Sequence, residues 1–243
     1  MSPTQARRTK PLSQGNVSIV IPTLNEEERI AETLKPVGKY EVILVDGGSR
    51  DRTVEIARRL GARAFQCRGL NIAQARNFGS HLSTRDILIQ LDADTIVRNG
   101  AIKAIISSFK NPRVVGGTCK LYPYDGEWYH KLYYCLVNLS LFSLSFIPSS
   151  TRALVNGSVL FMRRNVFERI GGYWNNEVSD DQYISRCLAK AGKFVFLNGI
   201  TVYTSARRWK KLGFWKTIRI HLENFICFFF LNRTKAQKWE KLT

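Results

Sequence analysis

The stretch Ile87-Leu88-Ile89-Gln90-Leu91-Asp92-Ala93-Asp94-Thr95 ends an apolar run with two acids that are one residue apart. The apolar part predicts a buried strand, so both acids fall where that strand ends and a loop begins. Hard divalent cations take oxygen ligands, and Mg²⁺ is commonly held by one or two carboxylates together with substrate phosphates. A solvated acidic turn is the alternative, and it is the better explanation for such a pair alone, because short motifs recur by chance.

The segments before this stretch alternate between strand and helix patterns. Strands are predicted at 17–21, 41–45, 63–66 and 87–90, and helices at 26–34, 51–60 and 72–82. Strands that alternate with helices of this length indicate a parallel sheet with helices on both faces. Ligands of such sheets bind beyond the carboxyl ends of the strands, which is where the acid pair is predicted to lie.

Two further loops at this edge carry acids. Pro22-Thr23-Leu24-Asn25-Glu26-Glu27 follows the first strand, and Asn25 is the predicted N-cap of the next helix. Asp46-Gly47-Gly48-Ser49-Arg50-Asp51 follows the second strand, where the glycines let the backbone approach a ligand and Ser49 or Asp51 can cap the following helix. Each loop alone is explained as a turn with a cap. Three acid-bearing loops at one edge favour a ligand site.

Composition bounds the class of protein. The 243 residues suit one large domain or two tightly joined ones, and the net charge of +18 implies an anionic partner such as nucleic acid, an anionic membrane or a phosphorylated substrate. The five cysteines have no Cys-x-x-Cys or zinc-site spacing, so we expect reduced core residues and no structural metal. Residues 1–16 form a polar, basic segment that predicts a flexible tail, neither signal peptide nor anchor, and a cytoplasmic protein.

Four segments in register resemble one known family. They are Val17 to Glu27, Val45 to Thr53, Ala75 to Gly79 and Leu91 to Thr95, and they resemble the nucleotide-sugar domain of family 2 glycosyltransferases in order and spacing. The resemblance covers residues 17–210 and implies a GT-A fold, a Rossmann-like mostly parallel sheet flanked by helices. It divides the domain into a nucleotide-sugar half, 17–120, and an acceptor half, 121–210, followed by amphipathic basic helices at 211–243.

The resemblance also implies donor-binding roles, residue by residue. Residues that match the positions lining the nucleotide or its sugar are Pro22, Leu24, Glu26, Asp46, Gly48, Ser49, Arg76, Asn77 and Asp92. Asp46 matches the acid that hydrogen-bonds the base, whereas Arg76 and Asn77 lie in the segment that faces the nucleotide and its phosphates. Asp94 matches the acid that holds a divalent metal, Mn²⁺ or Mg²⁺, on the diphosphate, with Asp92 as a second, shared ligand.

Two acids further along the chain match the catalytic segment. In relatives this motif is Glu-Asp followed by a helix, so Asp181 is the candidate general base, and Asp180 replaces the usual Glu and positions the acceptor or the base. An inverting transfer needs such a base to remove the proton of an acceptor hydroxyl, whereas a phosphate acceptor needs it mainly for positioning. The alternative is that both acids only cap the helix that runs to Lys190.

The last motif is Ser205-Ala206-Arg207-Arg208-Trp209. It resembles the Gln-x-x-Arg-Trp element of processive members with Ser205 in place of Gln, and more closely the version found in small, non-processive members. Arg207 or Arg208 is expected to clamp a diphosphate or an acceptor phosphate, since guanidinium groups bind phosphates through paired hydrogen bonds. Trp209 either stacks on a sugar ring or fills the core.

Two apolar segments bear on the membrane. Residues 132–147 form an uncharged run that is shorter than the ~20 residues of a spanning helix, so they predict a buried or an interfacial helix. Residues 210–231 mix basic and aromatic residues, which suits either the membrane interface or a helix docked on the domain. The closing basic residues 235–241 are predicted to be frayed.

Together these patterns predict a metal-dependent, inverting hexosyltransferase that moves one sugar from a UDP- or GDP-sugar to a lipid-linked acceptor such as polyprenyl phosphate. It is expected to be peripheral on the cytoplasmic membrane face, in an oligomeric state that the sequence does not give. A soluble acceptor is the enzymatic alternative, and a nucleotidyltransferase is disfavoured because no Gly-rich, Lys-containing signature lies early in the chain. A non-catalytic nucleic-acid binder would fit the charge, but acids at three strand ends would repel phosphate.

Overall fold

A computed structural model describes residues 14–98, 100–146, 155, 157–174 and 180–230. Its strands are β1 (Val17–Thr23), β2 (Glu41–Asp46), β3 (Arg63–Gln66), β4 (Ile87–Leu91), β5 (Ile96–Val97), β6 (Val114–Pro123), β7 (Val159–Arg163) and β8 (Lys193–Thr204). Its helices are α1 (Ile30–Leu34), α2 (Thr53–Arg59), α3 (Ile72–His81), α4 (Ala101–Ser108), α5 (Trp128–Leu144), α6 (Arg164–Arg169), α7 (Asp180–Ala191), α8 (Arg207–Leu212) and α9 (Phe214–Phe230).

The strands form one sheet in the order β3-β2-β1-β4-β7-β6-β8-β5. The first four strands in this order are parallel, whereas β7 runs antiparallel between β4 and β6, and β5 runs antiparallel to β8. β1, β2 and β4 are apolar almost throughout and buried, as expected of strands covered on both faces. The predicted α/β class with a mostly parallel sheet is confirmed.

Close packing of α3 on the sheet fixes where its polar residues lie. A Cβ on Gly79 would come within 2.4 Å of Val20 Cγ1, so only glycine lets this helix approach β1 so closely. The side chain of Asn71 accepts from the Gln74 amide at 2.8 Å, and Gln74 Oε1 accepts from the Asn71 amide at 3.0 Å. The start of α3 is therefore fixed by a capping box.

Two predicted helix starts are wrong. Asn25 is not an N-cap: it takes a left-handed φ of 53°, which Asn tolerates, and its Oδ1 accepts from the Arg50 amide at 2.9 Å. α1 consequently starts at Ile30, after a turn. α2 begins at Thr53 with Arg52 as its N-cap, and Asp51 lies one residue earlier, where its Oδ1 accepts from the Thr53 amide at 3.0 Å.

The structure also tests the predictions for the cysteines, the apolar segments and the two ends of the chain. Cys119 is buried, but Cys135 is exposed on α5, so the prediction that the cysteines are core residues is wrong for Cys135. No helix among the described residues is long and apolar enough to cross a membrane. The predicted tail up to residue 13, the end of the first apolar run at Ile147 and the basic residues 235–241 lie outside the described residues.

Candidate active site

The loop after β2 is shaped around Asp46, which is completely buried. One oxygen of Asp46 accepts from the amides of Gly48 at 3.0 Å and Ser49 at 2.9 Å, and the Ser49 hydroxyl donates to the other. Gly48 has a φ of 109°, a conformation that favours glycine. Asp46 therefore holds the turn that the resemblance assigns to the nucleotide base.

The loops after β1 and β2 are joined into one wall. The amides of Asn25, Glu26 and Glu27 donate to side chains of the second loop and α2, at 2.8 Å to Ser49 Oγ, 2.7 Å to Thr53 Oγ1 and 3.1 Å to Asp51 Oδ2. Pro22 and Leu24 are partly exposed in this wall. The sequence places the two loops at the same sheet edge, and the structure adds the hydrogen bonds between them.

Asp94 and Glu26 meet Arg207 beyond the ends of β1 and β4. Arg207 Nη2 donates to Glu26 Oε1, and Arg207 Nε lies 3.4 Å from Asp94 Oδ2. Burial, with Asp92 nearby, raises the pKa of Asp94 to about 6 against the opposing charge of Arg207. Burial also raises the pKa of Glu26, which is 6% exposed and whose Oε2 has no hydrogen-bond partner among the described residues.

These acids fit a divalent metal whose remaining ligands come from the substrate. No group of three or more His, Cys, Asp or Glu side chains in the described part of the chain is arranged to hold a metal by itself. One or two carboxylates completed by a diphosphate are nevertheless the usual setting of Mg²⁺. The raised pKa values of Asp94 and Glu26 follow from burial and clustered negative charge, and a cation would relieve both. Asp94 and Asp92 are the residues that would hold it.

Arg76 and Asn77 make buried contacts with other protein groups. Arg76 is 5% exposed and donates to Asp92 Oδ1 at 2.9 Å and to Asp180 Oδ2 at 2.8 Å. Asn77 exchanges two hydrogen bonds of 2.8 Å with the backbone of Tyr173. Both side chains thus bind protein groups, and the role that the resemblance implies for their segment stays a prediction.

Asp181 lies in the first turn of α7 beside Asp180. Burial and the charge of Asp180 raise the pKa of Asp181 to about 7, while Arg76 opposes the shift. A Cβ on Gly157 would come within 2.7 Å of Asp181 Oδ2, so glycine leaves room for this carboxylate. Asp180 is paired with Arg76, which makes it more than a helix cap, and Asp181 is the acid of the two whose pKa is raised.

Trp209 and Arg208 are the last two of the predicted site residues. Trp209 is 3% exposed and packs among the rings of His130, Tyr133, Tyr134, Phe214 and His221. The structure thus places Trp209 in the core rather than on a sugar. Arg208 is partly buried, and burial lowers its pKa. The charges of Asp92 and Asp94 act in the opposite direction, which shows that Arg208 lies close to these two acids.

Asp125 is a site residue that sequence reasoning missed. Its carboxylate accepts from the Ala206 amide at 2.5 Å and from Ser205 Oγ at 3.0 Å, and it lies 3.6 Å from Lys210 Nζ. It thereby fixes the segment that carries Arg207. Nothing in its own neighbourhood, Pro123-Tyr124-Asp125-Gly126, signals a partner 81 residues later.

Comparison with solved structures identifies the fold. A mannosyltransferase from Pyrobaculum calidifontis in complex with GDP-Man and Mn2+ superposes with a TM-score of 0.68 at 20% identity, over 93% of this chain and 67% of that chain. Such neighbours have the GT-A fold, as does this chain.

Comparison with sequences identifies the family. Glycosyltransferase AglE of Haloferax volcanii is 31% identical over 179 residues, 67% of this chain and 57% of that protein. An undecaprenyl-phosphate 4-deoxy-4-formamido-L-arabinose transferase of Edwardsiella ictaluri is 38% identical over 94 residues, 32% of this chain and 29% of that protein. This chain thus spans 29% to 57% of these relatives' lengths. The family model described as Glycosyl transferase family 2 matches residues 18–171, more than half of the chain, and the protein is therefore a family 2 glycosyltransferase.

Proposed function

We propose that this glycosyltransferase moves a single sugar from a UDP- or GDP-sugar to a lipid-linked acceptor such as polyprenyl phosphate, with the help of a divalent metal. The observation that carries the proposal is the meeting of Asp94, Glu26 and Arg207 at the sheet edge that also holds Asp92. Through Arg76, Asp92 is connected to Asp180, next to the candidate base Asp181. A donor site and a base thus adjoin one another.

The donor would bind along the wall formed by the loops after β1 and β2. Pro22, Leu24, Gly48 and Ser49 would enclose the base and ribose, on the turn that Asp46 holds. A metal held by Asp94 and Asp92 would screen the charge that builds on the leaving diphosphate. Arg207 and Arg208, both close to these acids, would bind diphosphate oxygens once the donor is present.

The transfer itself would use Asp181. Its pKa of about 7 suits a group that takes a proton from an attacking hydroxyl near neutral pH. A phosphate acceptor is already ionised, and Asp181 would then position it. Attack on the anomeric carbon from the side opposite the diphosphate inverts the configuration in a single displacement.

The lipid part of the proposal rests on α5 and α9. Each helix presents an exposed apolar stripe, Trp128, Leu132, Leu136 and Leu139 on α5 and Trp215, Leu222 and Ile226 on α9. The two helices pack on one another, with Tyr133 Oη 2.7 Å from His221 Nδ1. The exposed basic residues Lys131, Lys216 and Arg219 on these helices add attraction to anionic lipid at the cytoplasmic membrane face. One relative's name includes undecaprenyl phosphate, which fits this acceptor class.

A release assay tests the proposal. The purified full chain is incubated with UDP- and GDP-sugars and Mn²⁺ or Mg²⁺, with and without polyprenyl phosphate in detergent, and nucleoside diphosphate is measured. We expect metal-dependent release that requires the lipid phosphate with one donor, and its loss in Asp181→Asn. If no nucleoside diphosphate is released with either the UDP- or the GDP-sugars, the transferase proposal is refuted.

The same assay separates the acceptor classes. Full activity on a soluble phosphorylated or hydroxylated acceptor, without detergent or lipid, would favour the soluble alternative. The lipid proposal also requires that the chain sediments with anionic liposomes, and a chain that stays in the supernatant would contradict it.

A further inference from the structure

Arg76 is a buried cation placed between acids that belong to different parts of the chain. Asp92 follows β4, and Asp180 begins α7, 104 residues after Arg76. The same guanidinium also donates to the Gly157 carbonyl at 3.2 Å and lies over the Tyr173 ring, 5.4 Å from its centroid. Burial works against its charge, but Asp180, Tyr173 and Asp92 outweigh it and raise the pKa of Arg76. It is therefore a permanent cation between the two groups of acids.

A buried network fixes the backbone from which Arg76 extends. Ser80 Oγ donates to the Arg76 carbonyl at 2.7 Å, and Gln90 Nε2 of β4 donates to Ser80 Oγ at 2.7 Å. Asn77, the next residue, holds both the carbonyl and the amide of Tyr173. Gly172 precedes that tyrosine with a φ of 74°, and a Cβ there would lie 2.6 Å from Asn77 Oδ1. α3 is thus hydrogen-bonded to β4 on one side and to Tyr173, which precedes α7, on the other.

We propose that Arg76 and Asn77 are positioning residues that set the distance between the donor acids, Asp92 and Asp94, and the acceptor acids, Asp180 and Asp181. The inference rests on the proposed function, because only a transferase needs a fixed distance between the donor acids and the acceptor acids. A guanidinium is a rigid planar fork whose nitrogens can bind two carboxylates in different directions, whereas a lysine ammonium is a point charge on a flexible stem. Neither residue needs to touch a substrate for this role.

The charge of Arg76 has a second consequence for Asp181. The groups that face Asp181 are Asp180 from its own helix, Arg76 from α3, Asp92 from the loop after β4 and the Tyr173 hydroxyl. Arg76 is the cation among these, and it pairs directly with Asp180. Loss of its charge would leave three carboxylates close together, and Asp181 would then bind its proton more tightly.

Kinetics of Arg76→Lys and Arg76→Gln test the inference. We expect both folded variants to lose kcat, on the order of 100-fold, because small misplacements of reacting groups have effects of this size. The donor KM should change far less. In the plot of kcat against pH, the acid limb should stay near its wild-type position in the Lys variant, which keeps a positive charge at residue 76. It should move to higher pH in the Gln variant, which lacks that charge.

Arg163→Lys is the matched control. Arg163 is a partly buried arginine whose guanidinium donates to the carbonyls of Val114 and Phe109, both at 2.8 Å, and to no carboxylate in the described structure. Its replacement should lower stability without changing kcat or the acid limb. Wild-type kcat in Arg76→Lys, or an unmoved acid limb in Arg76→Gln, would overturn the inference.

Asn77→Asp provides a second test should Arg76→Gln fail to fold. The substitution keeps the shape and the acceptor for the Tyr173 amide, and it replaces the donor to the Tyr173 carbonyl with a repulsive oxygen. We expect a lower kcat with unchanged affinity for Mn²⁺ and nucleoside diphosphate, and unchanged kcat would count against the proposal. A wild-type protein that neither binds nor releases nucleoside diphosphate would instead refute the proposed function.

Discussion

Asp180 and Asp181 are adjacent, chemically identical acids whose surroundings give them different properties. Asp180 has a guanidinium partner at 2.8 Å. Asp181 has a hydrogen bond from the Gln182 amide at 2.8 Å but no such cation pair in the described structure, and its pKa rises to about 7. The structure, rather than the residue type, therefore separates an acid that pairs with an arginine from one whose pKa is raised.

The pKa of Asp181 predicts the pH dependence of both rate and stability. As the base for a hydroxyl acceptor Asp181 works only when ionised, so with such an acceptor kcat should rise as pH increases to about 7 and then level off. Its folded-state pKa lies above the ordinary 3.8, so its ionisation destabilises the fold progressively from about pH 4 to 7. Asp181→Asn should thus abolish transfer yet be more stable than wild type at pH 8, by a margin that shrinks at pH 5 in urea unfolding. Equal margins at both pH values would contradict the raised pKa.

Asp94 is expected to control metal-dependent donor binding. Asp94→Asn removes an anionic ligand, and we expect the Kd for nucleoside diphosphate with Mn²⁺ to rise at least about tenfold, or about 1.4 kcal/mol, in calorimetry. Asp86→Asn is the control, because Asp86 is exposed just before β4, at the opposite end of that strand. Equal affinities of the Asp94 variant and wild type would remove Asp94 from the donor site.

Residues close in sequence were easier to predict than partners that meet through the fold. The acids at the ends of β1, β2 and β4 follow from local strand and loop patterns. By contrast, Glu26 and Arg207 are 181 residues apart, and Arg76 and Asp180 are 104 apart. No local periodicity contains such pairs, so the family resemblance supplied the residues but not their contacts, such as those of Arg76 with Asp92 and Asp180.

At the scale of elements, α8 depends on its neighbours. It has only six residues, too few for a stable isolated helix, and Trp209 anchors it among rings of α5 and α9. Local propensity could not have predicted this docking. Contacts beyond the local sequence also explain why the helix predicted from residue 26 begins only at Ile30. Hydrogen bonds to the loop after β2 hold residues 25–27 in a turn.

Trp209 should therefore behave as a core residue. Trp209→Ala is expected to cost about 3–5 kcal/mol in the free energy of unfolding, because a large buried ring is removed. Trp209→Phe keeps an aromatic ring in the cluster and should retain fold and transfer activity. Normal folding without activity in the Phe variant would show that the indole contacts the sugar after all.

The exposed stripe on α5 should determine lipid binding. Leu136 is 56% exposed, so Leu136→Glu leaves the core intact while it places a charge in the stripe. We expect weaker sedimentation with anionic liposomes. Ile72→Glu, at another exposed aliphatic residue on α3, is the matched control and should sediment as wild type. Equal loss in both variants would point to a general charge effect.

At the scale of the whole molecule, the net charge of +18 and the apolar stripes should contribute separately to membrane binding. Screening shortens the range of surface charges from about 8 Å at physiological salt to about 3 Å at 1 M. Sedimentation with anionic liposomes should thus fall steeply between these salt concentrations, with an apolar remainder that Leu136→Glu removes. Binding that persists unchanged at 1 M would mean that charge contributes little.

The contact between Glu26 and Arg207 also has a consequence during synthesis. A ribosome that adds about 5–20 residues per second needs roughly 10–35 s to reach Arg207 after Glu26 has been made. During this interval the growing chain has the β1 and β2 loops, and for part of it the Asp92–Asp94 pair, without their arginine. The proposed donor site can therefore be completed only after nearly all of the 17–210 region has been translated, and we expect a partly translated chain to be catalytically silent.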